Sequence, residues 1–224
     1  MSPADAIRAL APHLSEERQQ RIETVLDGRT FDLACVVEGV ANSGNVNAVM
    51  RTSEALGFQP FHIIRGDAPF KHSRRTTMGA QKWLDVSHWV TPAACVRALR
   101  EARYQIVVLA LSPQAVPLET VDFTQRTALV FGNEMRGSSD AMQAAADQVC
   151  VLPTPGFVES FNISVAAGMA LYSAFAQRQQ RLGSSGNLTP EERDRMRADF
   201  YLRSVRESEG ILERWKEGIT RARP

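Results

Sequence analysis

Three short stretches of this 224-residue chain carry polar residues at spacings that packing alone does not require. The first is Asn42-Ser43-Gly44-Asn45-Val46-Asn47-Ala48-Val49-Met50-Arg51-Thr52. Asn45 sits at a helix start, and Arg51 follows within two turns. A guanidinium suits a phosphate or a developing oxyanion. Each residue also has a plain reading, Asn45 as a helix N-cap and Arg51 in an ion pair with Glu54. The second stretch is Phe131-Gly132-Asn133-Glu134-Met135-Arg136-Gly137, directly after a buried apolar run. A carboxylate at a strand end between two glycines points to a site; a loop salt bridge from Glu134 to Arg136 is the alternative. The third runs Leu152-Pro153-Thr154-Pro155-Gly156-Phe157-Val158-Glu159-Ser160-Phe161-Asn162-Ile163-Ser164. Two prolines and a glycine set a rigid, sharply turned loop. Ser160 and Asn162 then offer oxygens to a helix N-terminus or to a ligand.

Other chemistries lose weight. Glu38-Gly39-Val40-Ala41-Asn42-Ser43-Gly44-Asn45 follows the first strand and is not G-x-G-x-x-G. The P-loop Gly-Lys-Ser/Thr and the G-x-S-x-G elbow are absent. Cys35, Cys95 and Cys150 lie singly in apolar runs and read as buried small hydrophobes in a reducing compartment. His13, His62, His72 and His88 are scattered, and no Cys/His spacing suits zinc, so no metal is expected.

The elements that position these loops alternate. Apolar runs at Phe31–Val37, Phe61–Ile64, Leu84–Val90, Gln105–Leu111, Thr127–Phe131 and Val149–Leu152 read as strands. Helical patterns read at Asn45–Leu56, from Thr91-Pro92 to about Arg103, at Ser138–Ala146, and from about Asn162 to Leu182, where Gly183 stops the helix. That alternation implies an α/β fold: a mostly parallel sheet with helices on both faces. Ser2-Pro3 and Ser15-Glu16-Glu17 open two helices before it, the second ending near Gly28. After the linker 183–188, Thr189-Pro190-Glu191-Glu192 is a capping box opening a tail dense in both charges. The tail reads equally as a solvated, self-paired helix or as a face toward RNA or another subunit.

Composition is that of an ordinary globular domain, 44% hydrophobic and 23% charged, with a formal net charge of +1. Global charge favours no partner. Arg65–Lys82 is locally basic, with Arg65, Lys71, Arg74, Arg75 and Lys82 against Asp67. With Trp83 at its end, the segment suits phosphate contact and base stacking, through Lys71, Arg74, Arg75 and Lys82. No apolar run reaches the length of a membrane span, so a cytoplasmic protein is expected.

Together the three stretches resemble the motifs of the SpoU/TrmH family of RNA ribose 2′-O-methyltransferases, within the SPOUT superfamily. The first motif is an Asn, an Arg six residues later, then Thr: Asn45, Arg51 and Thr52. The second is an apolar strand followed by Gly-x-Glu-x-x-Gly: Gly132, Glu134 and Gly137. The third is Pro-x-x-Gly, then Ser-x-Asn-x-Ser-x-Ala: Pro153, Gly156, Ser160, Asn162, Ser164 and Ala166. Gly44 stands where the family often has His, so an RNA contact by that His does not carry over.

The resemblance implies a methyltransferase domain over residues 31–182, with helical extensions at 1–30 and 183–224. It implies a deep trefoil knot in the C-terminal part of the sheet domain, which no periodicity argument would propose. It implies a homodimer, S-adenosyl-L-methionine held against Leu109, Gly132, Leu152 and Phe161, and no metal. The small face Ser164, Ala167, Gly168, Leu171 and Ala174 then serves the knot or the subunit interface. Arg51, Asn45, Glu134, Ser160 and Asn162 become the catalytic set. Arg51 acts as a fixed cation, because Arg stays protonated in proteins. Asn45 orients Arg51 or the ribose, and Glu134 anchors loops through Ser160 or the helix start at Asn162. The layout resembles family members that methylate guanosine 18 in the tRNA D-loop. Another tRNA or rRNA position, or a catalytically silent RNA-binding protein on this fold, are the rival readings.

Overall fold

The computed structural model describes residues 1–40, 42–65 and 79–221. It divides into a sheet unit, residues 30–185, and a helical unit of residues 1–29 with 186–224.

Among the described residues the sheet unit carries seven parallel strands: β1 (Leu33–Glu38), β2 (Pro60–Ile64), β3 (Asp85–Trp89), β4 (Gln105–Leu109), β5 (Val116–Pro117), β6 (Thr127–Phe131) and β7 (Gln148–Val151). Their order is β3-β2-β1-β6-β4-β7-β5, with every adjacent pair parallel. All residues of β1 and β6 are buried, which is why Leu33–Val37 and Ala128–Phe131 are unbroken apolar runs and not alternating ones. Alternate residues still go to different cores. Leu33, Cys35, Val37, Leu129 and Phe131 join one cluster with α3 (Ser43–Ala55) and α6 (Ile163–Leu182), counting helices from the N-terminus. Ala34, Val36, Ala128 and Val130 join the other, with α4 (Pro92–Glu101) and α5 (Asp140–Ala144).

Val37 pairs with Phe131 and Phe131 with Leu109, while Leu109 pairs with Cys150. The C-terminal ends of β1, β6, β4 and β7 therefore finish together. The three polar loops follow three of those ends.

The expected strand at 31–37 starts at Leu33, and the strand expected to reach Leu111 stops at Leu109. The Pro-containing stretch before β6 holds β5 and a 3-10 turn, Leu118–Thr120, that the sequence pattern did not reveal. A two-residue strand leaves no periodicity, and its proline is tolerated because the strand is at the sheet edge. Of the small face on α6, Ala167, Leu171 and Ala174 are buried. A Cβ on Gly168 would meet nothing within 4 Å, so packing does not require that glycine.

The helical unit contains α1 (Pro3–Leu10), α2 (Glu16–Asp27), α7 (Pro190–Ser204) and α8 (Ser208–Arg221). Ser2 with Asp5, and Thr189 with Glu192, form complete capping boxes. The charged tail is two helices, and part of its charge is internal. Arg193 and Arg197 both pair with Glu23 on α2, at 2.9 and 2.5 Å. Hydrogen bonds from Arg197 and Arg193 hold the Glu23 carboxyl below its usual range. No described helix is long and apolar enough to cross a membrane.

Candidate functional site

The first polar loop leaves β1 and enters α3 through Asn42, not Asn45. The Asn42 side chain accepts from the Gly44 N–H at 2.8 Å, so α3 begins at Ser43. Asn45 therefore lies inside the first turn, and capping does not consume its amide. Its Nδ2 donates to Glu134 Oε1 at 2.8 Å, across 89 residues of chain.

Glu134 stands on the loop after β6. Asn133 organises that loop as an Asx turn: its Oδ1 accepts from the Met135 and Arg136 N–H groups at 2.9 and 3.0 Å. Backbone bonds of 2.9 Å run both ways between Asn133 and Gly137. Gly132 permits the fold-back. A Cβ there would lie 2.2 Å from Ser138 N and 2.3 Å from Gly137 C. The glycine is thus demanded by the loop's own return. Glu134 takes up Asn45, and neither the expected bond to Ser160 nor the alternative salt bridge to Arg136 forms among the described residues.

The third loop leaves β7 and enters α6 through Asn162. Asn162 Oδ1 accepts from Ser164 N–H at 2.9 Å and Ser164 Oγ at 2.6 Å. The same residue's Nδ2 donates to Asn45 Oδ1 at 3.5 Å. One hydrogen-bonded chain, Asn162 to Asn45 to Glu134, thus joins all three loops at the C-terminal edge of the sheet.

Beside this chain is a cavity of about 420 Å³. Leu109, Gly132, Leu152 and Phe161 all line it, as do Glu134 and Ser160. Leu111, Phe131, Asn133, Thr154 and Glu159 complete much of the wall. Of these, Asn133 and Glu159 were legible as polar residues within the motif loops, but their place in a wall was not. Open crevices at the carboxyl ends of parallel strands are the usual ligand sites of such sheets.

Arg51 is exposed on α3 and lies in neither the cavity wall nor the Asn162–Asn45–Glu134 chain. The alternative reading of Arg51, a pair with Glu54, does not hold: among the described residues no carboxylate pairs with Arg51. Lys82 is exposed, its Nζ 5.0 Å from the Trp83 ring centroid. Lys71, Arg74 and Arg75 lie outside the described residues. The three cysteines are free and buried. Burial pushes the Cys95 and Cys150 thiols up to about 12, so neither is a nucleophile at neutral pH.

The sequence pattern of the SpoU rRNA Methylase family matches residues 32–172. A tRNA (guanosine(18)-2′-O)-methyltransferase of Borreliella burgdorferi is 30% identical over 200 residues, 89% of this chain and 91% of the relative. The crystal structure of the Aquifex aeolicus TrmH/SpoU tRNA modifying enzyme superposes with a TM-score of 0.73 at 30% identity. That alignment covers 91% of this chain and 97% of the other. The SpoU methyltransferase AviRb of Streptomyces viridochromogenes, solved in complex with AdoMet, gives 0.59 at 26% identity, over 68% of this chain and 58% of that one. On the matched pattern and the extent of these alignments, this chain belongs to the SpoU rRNA Methylase family.

Proposed function

We propose that this chain transfers a methyl group from S-adenosylmethionine to a ribose 2′-hydroxyl of tRNA, at guanosine 18 in the D-loop. The observation that carries the reading is the Asn162–Asn45–Glu134 chain, which closes three loops around one cavity at the sheet edge. The names of the relatives give the substrate.

The cavity fits the cofactor's chemistry. Its volume is within the range of about 300–1,000 Å³ usual for small-molecule sites. Leu109, Leu152 and Phe161 offer apolar wall for a nucleobase, and Glu134 and Glu159 offer carboxylates for a cationic group. When bound, the cofactor supplies a methyl group already activated on a sulfonium sulfur. Metal assistance is not required; alignment and the handling of one proton remain.

The chain's own residues meet those two needs. Asn45, fixed by Glu134, orients the ribose at the mouth of the cavity. Ser160 and Asn162 shape the same mouth. Arg51 is a fixed cation that grips a neighbouring phosphate and stabilises charge developing on the ribose oxygen, while a phosphate oxygen or water accepts the proton. Lys71, Arg74, Arg75 and Lys82 contact RNA phosphates.

Residues 31–182 form the methyltransferase domain, and the last part of its sheet threads a loop as a deep trefoil knot. The strand order supports this: β6 lies between β1 and β4, and β7 between β4 and β5, although both follow them in the chain. The active form is a homodimer. Val165, Met169 and Tyr172 project an exposed apolar stripe from α6 that a second copy would cover. Buried free thiols suit a reducing compartment, and we place the enzyme in the cytoplasm.

The test is incubation with labelled cofactor and separate tRNA and rRNA pools, followed by mapping of the labelled nucleotide. Label at guanosine 18 of tRNA is expected. Label elsewhere redirects the substrate, and a protein that binds RNA but labels no pool is a silent binder.

A further inference from the structure

Glu38 ends β1 beneath the candidate site, and its side chain is buried, the residue only 6% exposed. A buried carboxylate is costly unless its oxygens are hydrogen-bonded. Here both are used. Oε1 accepts from Ser139 Oγ at 2.5 Å and Oε2 from the Ser139 N–H at 3.1 Å. Ser139 is the last residue of the loop that carries Glu134 and the cap of α5, accepting in turn from the Met142 N–H at 3.2 Å.

The next residue completes a second tie. Gly39 remains in the sheet through its N–H, which donates to Ile64 O at 3.0 Å. Its φ of +61° then turns the chain into a conformation that glycine adopts readily. The Gly39 carbonyl accepts from Asn133 Nδ2 at 2.7 Å. Asn133 thus reads both ways: its Nδ2 ties the loop down to β1, and its Oδ1 holds the Met135 and Arg136 amides that flank the turn.

We infer that Glu38 and Asn133 are positioning residues, which clamp the 132–139 loop at both ends to the tip of β1 and so set Glu134 and one wall of the cofactor cavity. The inference rests on the proposed methyl transfer for its ligand, but the clamp itself is read from these hydrogen bonds. Ser139 presents a backbone N–H and a hydroxyl, and the two oxygens of the Glu38 carboxyl group accept one bond from each. Glutamine at 38 keeps shape and reach but offers one acceptor oxygen in place of two. No contact with the reacting atoms is implied. Glu38 acts through Ser139, and Asn133 through its turn.

The test is a double-mutant cycle on binding, with S-adenosyl-L-methionine as the probe and no RNA present. Glu38→Gln should raise the cofactor Kd about tenfold, and Glu134→Gln should raise it too. If both act through one loop, Glu134→Gln should cost at least about threefold less in the Glu38→Gln background than in the wild type. Amide exchange of Met135 and Arg136 in the cofactor-free protein should quicken in Glu38→Gln and in Asn133→Ala, while amides of β1 and β6 keep their protection. Ser139→Ala, which removes the hydroxyl donor and leaves Glu38 itself in place, should reproduce part of both effects. Independent, multiplying effects on Kd, or quickened exchange spread across the sheet, would overturn the inference and leave the methyl-transfer reading standing. A wild-type protein that binds the cofactor but methylates no RNA would sink that reading and leave the clamp intact. A wild type that does not bind the cofactor sinks both.

Discussion

Asn45 and Glu134 are 89 residues apart in sequence and 2.8 Å apart in space, amide nitrogen to carboxylate oxygen. Asn45 holds the entrance of α3, Glu134 the turn after β6, and Asn162 meets the other end of the Asn45 amide. The pair is solvent-accessible, so its loss should cost little stability.

Glu134→Ala and Asn45→Ala should therefore separate activity from folding. Each should lower kcat/KM for methyl transfer by about 10–100-fold, a value typical of lost positioning interactions. Unfolding free energy should change by less than about 0.5 kcal/mol. Methylation assays with labelled cofactor, beside urea melts, check both. A large loss of stability with unchanged kcat/KM would reassign the pair to structure.

Arg51 should not behave as a titrating base. Arg51→Lys and Arg51→Ala are compared for methylation and cofactor affinity from neutral to alkaline pH. Both should be about 100-fold or more down in kcat with cofactor affinity nearly kept, consistent with lost electrostatic stabilisation of the transition state. Near-full activity of Arg51→Lys with a new alkaline limb would instead establish a base at this position.

Arg178 on α6 is fully buried and donates to the Phe123 and Thr124 carbonyls at 3.1 and 3.3 Å. Its countercharge is Asp32, at 3.4 Å, which also pairs with Arg126 at 3.0 Å. Asp32→Ala strands that buried charge and should cost about 3 kcal/mol, as broken buried pairs do. Arg178→Met removes the charge and keeps much of the volume, so it should cost less. Urea denaturation of the two variants gives the order directly; the reverse order would discount the ion pair.

His62 gives the fold an acid-sensitive limb. Burial pushes its pKa down to about 4, and its Nδ1 accepts from Trp89 Nε1 at 3.0 Å, a bond that needs the neutral ring. The unfolded chain takes up the proton first, near 6.5. The stability tied to the neutral ring is therefore full above pH 6.5 and lost as pH falls toward 4. About 2 kcal/mol should disappear between pH 7 and pH 4.5. His62→Gln should flatten that part of the stability profile. An equally steep loss in the variant would locate the acid sensitivity elsewhere.

The legible part of this protein was local. Caps at Ser2, Ser15, Thr91, Asn162 and Thr189 were readable because a cap is satisfied within three residues of chain. Buried parallel strands were readable because both their faces are apolar. The plain cap reading of Asn45 failed for the same reason that the others were read well. Two asparagines three residues apart compete for one cap, and local spacing cannot choose between them. The hydrogen bond to Glu134, formed across the sheet, shows what Asn45 does once Asn42 takes the cap.

Alone, the sequence determined the types of the longer elements, the α/β class and the three loops with their polar residues. Each depends on neighbours a few positions away, through capping, periodicity and the fixed φ of proline. The tertiary structure decided the strand order, the common finish of β1, β6, β4 and β7, and the contacts Asn162–Asn45–Glu134 and Glu38–Ser139. Those pairings join residues 89 to 117 positions apart across the site and 101 apart beneath it. No local pattern encodes such a separation; it is set when packing both faces of one parallel sheet brings its strand ends, and so their loops, to a single edge.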